Sequence, residues 1–149
     1  MKISNNQHVS LVVAQWNQSY THQLQHNGIQ TLMTLGIAQD QIRIIEVPGC
    51  VEIPLASQMA AKHPNCLGVI NYGCILRGET PHFDLVYRMY AQGTMQVMLK
   101  LEKPIICGVM TVDKHAQAQE RCMWNGKKDI GAASAHTLVS MLSLNIEHY

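Results

Sequence analysis

The chain has 149 residues, enough for one domain with a proper core over residues 1–149 and too few for two comfortable ones. Its net charge of +1 points to neither nucleic acid nor an acidic membrane surface, and no apolar run is long enough to span a bilayer. No basic, apolar and small-residue leader opens it, and its five cysteines are an odd number without C-x-x-C spacing, so a reduced, cytoplasmic protein is expected. Only 14% of the residues are charged, against roughly 25% in an ordinary soluble domain. A surface so poor in charge hints at cover from other subunits.

Val9 to Ala14 (V-S-L-V-V-A) is apolar but for Ser10 and predicts a fully buried first strand. Beyond Gln15-Trp16-Asn17 a helix runs to Leu35, with Leu24, Leu32 and Leu35 on one face and Gly36 as its stop. Asn27-Gly28 weakens it midway, by about 1 kcal/mol for Gly against Ala. His22 and His26, four apart, have metal-ligand spacing but no third ligand, and read as a solvated face. Gln41 to Val47 is the second strand, Pro48-Gly49 breaks it, and Val51 to His63 forms a helix with Pro54 in its first turn. Cys66 to Tyr72 is the third strand. Pro104 to Thr111 is the fourth, followed by a short helix, Asp113 to Cys122, and a loop, Met123 to Lys127. In the last helix Ile130, Ala133, Ser134, Thr137, Leu138, Met141 and Leu142 are expected to form the apolar stripe. Strand and helix thus alternate four times. The expected fold is α/β: a three-layer αβα, flavodoxin-like arrangement with a four-stranded parallel sheet and helices on both faces.

Ligands in such folds bind at the carboxyl ends of the strands. The richest of these bends is Gly73 to Asp84. Gly73 and Gly78 are expected to turn the backbone, Thr80 to cap the next helix and Pro81 to occupy its first position. Amides of Gly78 to Thr80 would then face the strand's mouth as an anion cradle, with the His82 imidazole in the same turn. Phe83, Val86, Tyr87, Tyr90, Thr94, Val97, Met98 and Leu101 recur at helical spacing behind it.

The order G-x-x-x-R-G-E-T-x-H-F-D resembles the central motif of the lumazine synthase family, and the resemblance runs from Val9 to about Leu142. Val47 to Pro54 is similar to that family's V-P-G-x-x-E-x-P turn, Trp16-Asn17 to its aromatic-Asn pair, and Glu120-Arg121 to its E-R pair. The resemblance implies condensation of 5-amino-6-ribitylaminouracil with 3,4-dihydroxy-2-butanone 4-phosphate, giving 6,7-dimethyl-8-ribityllumazine, phosphate and water. It implies no cofactor and no metal. Trp16 would stack the pyrimidine beside Asn17, while Glu52 and the amides at Cys50 and Val51 would hold the ribityl chain. Cys74, Ile75 and Leu76 would line the site, Glu79, Thr80 and Arg121 would bind the phosphate, and His82 would carry protons. Lys128 matches the family lysine if the preceding loop is one residue short; Lys127 is the alternative.

Two positions depart from the pattern. Val51 replaces a usual aromatic residue, and Cys107 stands where the family often supplies a Phe to the adjoining subunit's site. Both Cys107 and the thiols of Cys50 and Cys74 are expected to be small core residues and not nucleophiles. These departures leave a non-catalytic flavin- or lumazine-binding protein as the alternative. The resemblance further implies a homo-oligomer, a pentamer or a multiple of it. The missing Gly-Thr-Lys-x-Gly-Asn run after Cys122 argues against large cages.

Overall fold

The four apolar runs form the strands β1 (His8–Ala14), β2 (Ile42–Val47), β3 (Cys66–Leu76) and β4 (Ile105–Val112), all parallel, in the order β2-β1-β3-β4. This is a computed structural model that describes residues Met1–Leu144. Every residue of β1 is buried, as a strand covered on both faces requires, and its register pairs Leu11 with Ile44 and Ile70. Among the described residues five helices connect and flank the sheet: α1 (Gln18–Thr34), α2 (Ile53–Ala61), α3 (His82–Leu101), α4 (His115–Cys122) and α5 (Ile130–Leu142).

Side chains alternate across a strand, so the sheet feeds two cores. Leu11, Val13, Ile70 and Tyr72 pack beneath Leu24 and Leu32 of α1, Ala118 of α4 and Leu138 of α5. Val12, Ala14 and Val69 face the other way, toward Ile53 and Ala61 of α2 and Phe83, Tyr90 and Val97 of α3. The three-layer α/β arrangement expected from the sequence is the one observed. No helix among the described residues is long and apolar enough to cross a membrane.

Several boundaries differ from expectation, each for a packing reason. Gly73 does not turn the chain. β3 continues through it to Leu76, paired with β4 from Val69↔Ile105 to Leu76↔Val112, and a Cβ on Gly73 would come within 2.6 Å of Cys50 Sγ. The second strand begins at Ile42 because Gln41 closes a 3-10 turn, and α2 is shorter at both ends than Val51 to His63. α1 passes unbroken through Asn27-Gly28, both buried. Gly28 is there because the Tyr72 hydroxyl fills its side-chain space, 2.0 Å from where a Cβ would stand. The same crossing rotates α5: its buried residues are Gly131, Ser134, Ala135 and Leu138, while Ala133, Thr137 and Met141 face outward. Gly131 lies under α1, with Leu24 O 2.5 Å from its Cβ position.

A buried polar cluster locks this crossing. Asn27 Nδ2 donates to Cys122 O (2.9 Å) and Asp129 Oδ1 (3.1 Å), and the Tyr72 hydroxyl donates to Gly131 O (2.9 Å). Asp129 also caps α5 by accepting from Ala132 N. Burial and the nearby Asp129 carboxylate hold the Tyr72 phenol well above its ordinary titration range.

Candidate active site

At the carboxyl edge of the sheet three bends are tied to one another. Gln15 N donates to Val47 O (2.8 Å) and Trp16 N to Pro48 O (3.1 Å), binding the β1 exit to the β2 exit. Asn17 then adopts a left-handed backbone (φ 61°) and its Nδ2 donates to Cys74 O of β3 (2.8 Å). Between them lies a cleft of about 410 Å³. β1 contributes Trp16 and Asn17, the β2 turn gives Pro48 to Val51, and β3 gives Cys74, Ile75 and Leu76. Gly78, Thr80, His82, Phe83 and Val86 close the remaining side. The indole of Trp16 is 75% exposed, so one broad aromatic face stands free in an otherwise apolar wall.

The opening of α3 sits one residue later than expected. Pro81 O accepts the first helical amides, from Asp84 (3.0 Å) and Leu85 (3.4 Å), so Pro81 takes the cap position. Thr80 Oγ1 receives only a long contact from His82 N (3.4 Å). His82 is exposed on the first turn, facing the cleft. The loop before it is braced by Arg77, which sequence reasoning left without a role. Arg77 Nε donates to Asp113 Oδ1 (2.6 Å), Nη1 lies 3.8 Å from Asp84 Oδ2, and the guanidinium stands 4.1 Å above the Phe83 ring. Hydrogen bonding to Asp113 raises the Arg77 pKa further. Nothing local signals this strut, because Asp113 is 36 residues away.

A second cleft, of about 600 Å³, opens between the end of α4 and the start of α5. Arg121, Lys127, Lys128 and the backbone around Gly126 line it. Glu120 bridges the cations, with Oε1 2.9 Å from Lys128 Nζ and Oε2 3.6 Å from Arg121 Nη1, while Arg121 Nη1 also donates to Gln117 O (3.2 Å). Arg121 and Lys128 are therefore not brought to the Trp16–His82 cleft within one chain. Among the described residues no group of three His, Cys, Asp or Glu side chains is placed to hold a metal ion; His22 instead faces Gln18 (3.2 Å) and Glu46 (3.7 Å).

The profile of the 6,7-dimethyl-8-ribityllumazine synthase family matches residues 6–145. The chain belongs to this family. A 6,7-dimethyl-8-ribityllumazine synthase of Coxiella burnetii (strain RSA 493 / Nine Mile phase I) is 38% identical over 137 residues, covering 91% of this chain and 89% of its own. The synthases of Thermus thermophilus (strain ATCC 27634) and Porphyromonas gingivalis (strain ATCC 33277) are 35% and 36% identical over the same length, with 86% and 84% of their own chains covered.

Lumazine synthase membership gives the remaining residues a frame. Glu52 is exposed at the start of α2, with a carboxylate oxygen 3.2 Å from the Cβ position of Gly49, a cleft residue. Glu79 is exposed between two residues that line the cleft. Cys107 is not buried: it and Thr111 lie exposed on β4, an edge strand. Phe83 and Val86 line the cleft although their spacing marked them only as core. The first turn of a helix beside a strand end presents its core-facing residues to the cleft as well.

Cys50 and Cys74 are buried, and desolvation pushes their thiols up to about 12 and about 11. Both therefore stay protonated at neutral and mildly basic pH. Iodoacetamide at pH 8 is expected to leave them unlabelled in the folded protein and to label them once it is unfolded, as peptide mass mapping would show. Labelling of either thiol in the folded state at the rate of a free thiol would contradict this.

Proposed function

We propose that this chain is a transferase of riboflavin biosynthesis that condenses 5-amino-6-ribitylaminouracil with 3,4-dihydroxy-2-butanone 4-phosphate to 6,7-dimethyl-8-ribityllumazine. Family membership over residues 6–145 supports it, together with one geometric observation: Trp16 and His82 line the same cleft. Two substrates must be held in register, and much of the acceleration can come from positioning them. In this reading the Trp16 face stacks the pyrimidine and Glu52 takes ribityl hydroxyls, while backbone groups at Cys50, Val51, Cys74, Ile75 and Leu76 fix the ring and chain. Amides at Glu79 and Thr80 grip the phosphate at the start of α3. The amine attacks the ketone and the carbinolamine loses water to give an imine. Phosphate leaves by elimination, and closure of the ribitylamino nitrogen on the remaining carbonyl expels a second water, with His82 accepting and returning protons.

Arg121 and Lys128 complete the phosphate grip from an adjoining copy, with Cys107 on the same borrowed surface. The working form is a homopentamer or a multiple of it, acting in the cytoplasm on small-molecule substrates. The separation of the two clefts supports this arrangement, as do the exposed apolar side chains of Leu55 and Met59 on α2 and Leu85 and Leu99 on α3. Mixing the two substrates with purified protein should produce lumazine fluorescence and stoichiometric phosphate. No acceleration over the spontaneous reaction would defeat the proposal. His82→Ala should slow turnover about tenfold, below the ~10²–10⁴ of an indispensable acid–base group, because positioning survives and water reaches this exposed turn. A loss as large as ~10⁴ in single-turnover rate would assign His82 a greater share of the chemistry.

A further inference from the structure

We infer that Asn17 is a positioning residue, which acts by bridging the gap where β1 leaves the sheet and thereby fixes the Trp16 indole over the cleft. The inference deepens the function proposed above and rests on it for its kinetic part.

In a parallel sheet each residue directs its N–H and C=O to one side, and successive residues alternate. Val69 N and Arg77 N both bond toward β4, to Pro104 O and Val112 O. The odd positions of β3 thus face β4, and the carbonyl of Cys74 faces β1. But pairing with β1 ends at Val13↔Tyr72, two residues earlier. Were β1 to continue, the amide of Trp16 would reach this carbonyl. That amide has been drawn the other way, to Pro48 O at 3.1 Å. The Asn17 carboxamide takes its place, donating to Cys74 O at 2.8 Å.

The residue type follows from two demands. The backbone must be left-handed here (φ 61°, ψ 43°), a conformation that asparagine tolerates far better than most side chains. The side chain must also be a short donor. Asparagine meets both; glycine meets only the first and alanine neither. Trp16 is then held from both flanks, through its own amide on the β2 side and through its neighbour's side chain on the β3 side. A 75% exposed indole has little packing of its own to orient it.

The test uses the full chain in a Trp124→Phe background, which leaves Trp16 as the only tryptophan. Asn17→Gly and Asn17→Ala should both make Trp16 more accessible to acrylamide quenching and lower its fluorescence anisotropy. They should raise KM for the ribitylaminouracil about fivefold, the scale of one hydrogen bond, with kcat changed less than twofold. Asn17→Gly keeps the test decisive if alanine impairs folding. Asn17→Asp should behave like glycine at neutral pH, where a carboxylate opposes the Cys74 carbonyl. Relative to the parent at each pH it should recover as pH falls, because the protonated acid can donate. Trp16 quenching unchanged in both Asn17→Gly and Asn17→Ala overturns the inference, even with a raised KM, since that pattern would mark a direct substrate contact. An Asn17→Asp variant that keeps parental quenching at every pH overturns it as well. If the parent shows no turnover, the proposed reaction fails while the quenching and anisotropy results still decide this point.

Discussion

Arg121→Ala is expected to raise KM for the four-carbon ketose phosphate by about one to two orders of magnitude, with a smaller effect on kcat. The size follows from losing charge-assisted hydrogen bonds of about 1.5–3 kcal/mol in total, since about 1.4 kcal/mol is tenfold. Arg121 is suited to the role because its guanidinium is already held, donating to Gln117 O at 3.2 Å with Glu120 3.6 Å away. A fork that is ordered before binding loses less freedom on meeting a phosphate. Arg121→Lys should recover only part of the loss, because an ammonium cannot present two parallel donors. Initial rates with varied phosphate substrate check this, and an unchanged KM in Arg121→Ala removes the residue from the phosphate site.

Gly28→Ala is expected to destabilise the fold by about 2–4 kcal/mol, lowering the midpoint of thermal unfolding by roughly 5–15 °C. Two effects of opposite sign compete. Alanine in a helix interior gains about 1 kcal/mol over glycine. Against it, the new Cβ would stand 2.0 Å from the Tyr72 hydroxyl oxygen and 2.7 Å from Tyr72 Cζ, and Tyr72 is fully buried. Its ring must shift, which costs about 1–3 kcal/mol in overpacking and leaves Gly131 O without its donor for about 1–3 kcal/mol more. The clash wins. Adding Tyr72→Phe should restore part of the midpoint, since it removes the nearest atom while Cζ still crowds. A single variant more stable than the parent would show that α1 can move away from the sheet.

These two sites mark where the sequence was and was not legible. The strands were readable because a strand covered on both faces is predominantly apolar, as β1 is apart from His8 and Ser10. The sheet's alternation with helices then carried the fold class. Glycines were the recurrent misreading. Gly28 reads as a helix weakener and Gly73 as a turn, and Gly131 carries no signal at all, yet each sits where another atom occupies the side-chain space. Hydropathy assigns such residues no direction, so the stripe expected for α5 includes Ala133 and Thr137 beside the correctly placed Ser134 and Leu138, and leaves out Gly131 and Ala135. In the cleft, Trp16, the β2 turn and His82 were legible because each lies in a short contiguous motif. Arg77 with Asp113 and Asn17 with Cys74 were not: their partners are 36 and 57 residues apart, and no local pattern couples them.

The commitment of Arg77 has an electrostatic consequence. With Asp113 and Asp84 against it, the arginine of the R-G-E-T stretch contributes little net positive potential, and no lysine or arginine lines the cleft among the described residues. An oxyanion entering there meets neutral dipoles at the start of α3, whose pull is short-ranged and independent of pH. In the proposed site, long-range attraction would come from the Arg121–Lys128 surface of an adjoining copy, and that portion should fade most as ionic strength rises and the Debye length shrinks. Salt would therefore slow capture of the phosphorylated substrate more than it loosens what has already been captured.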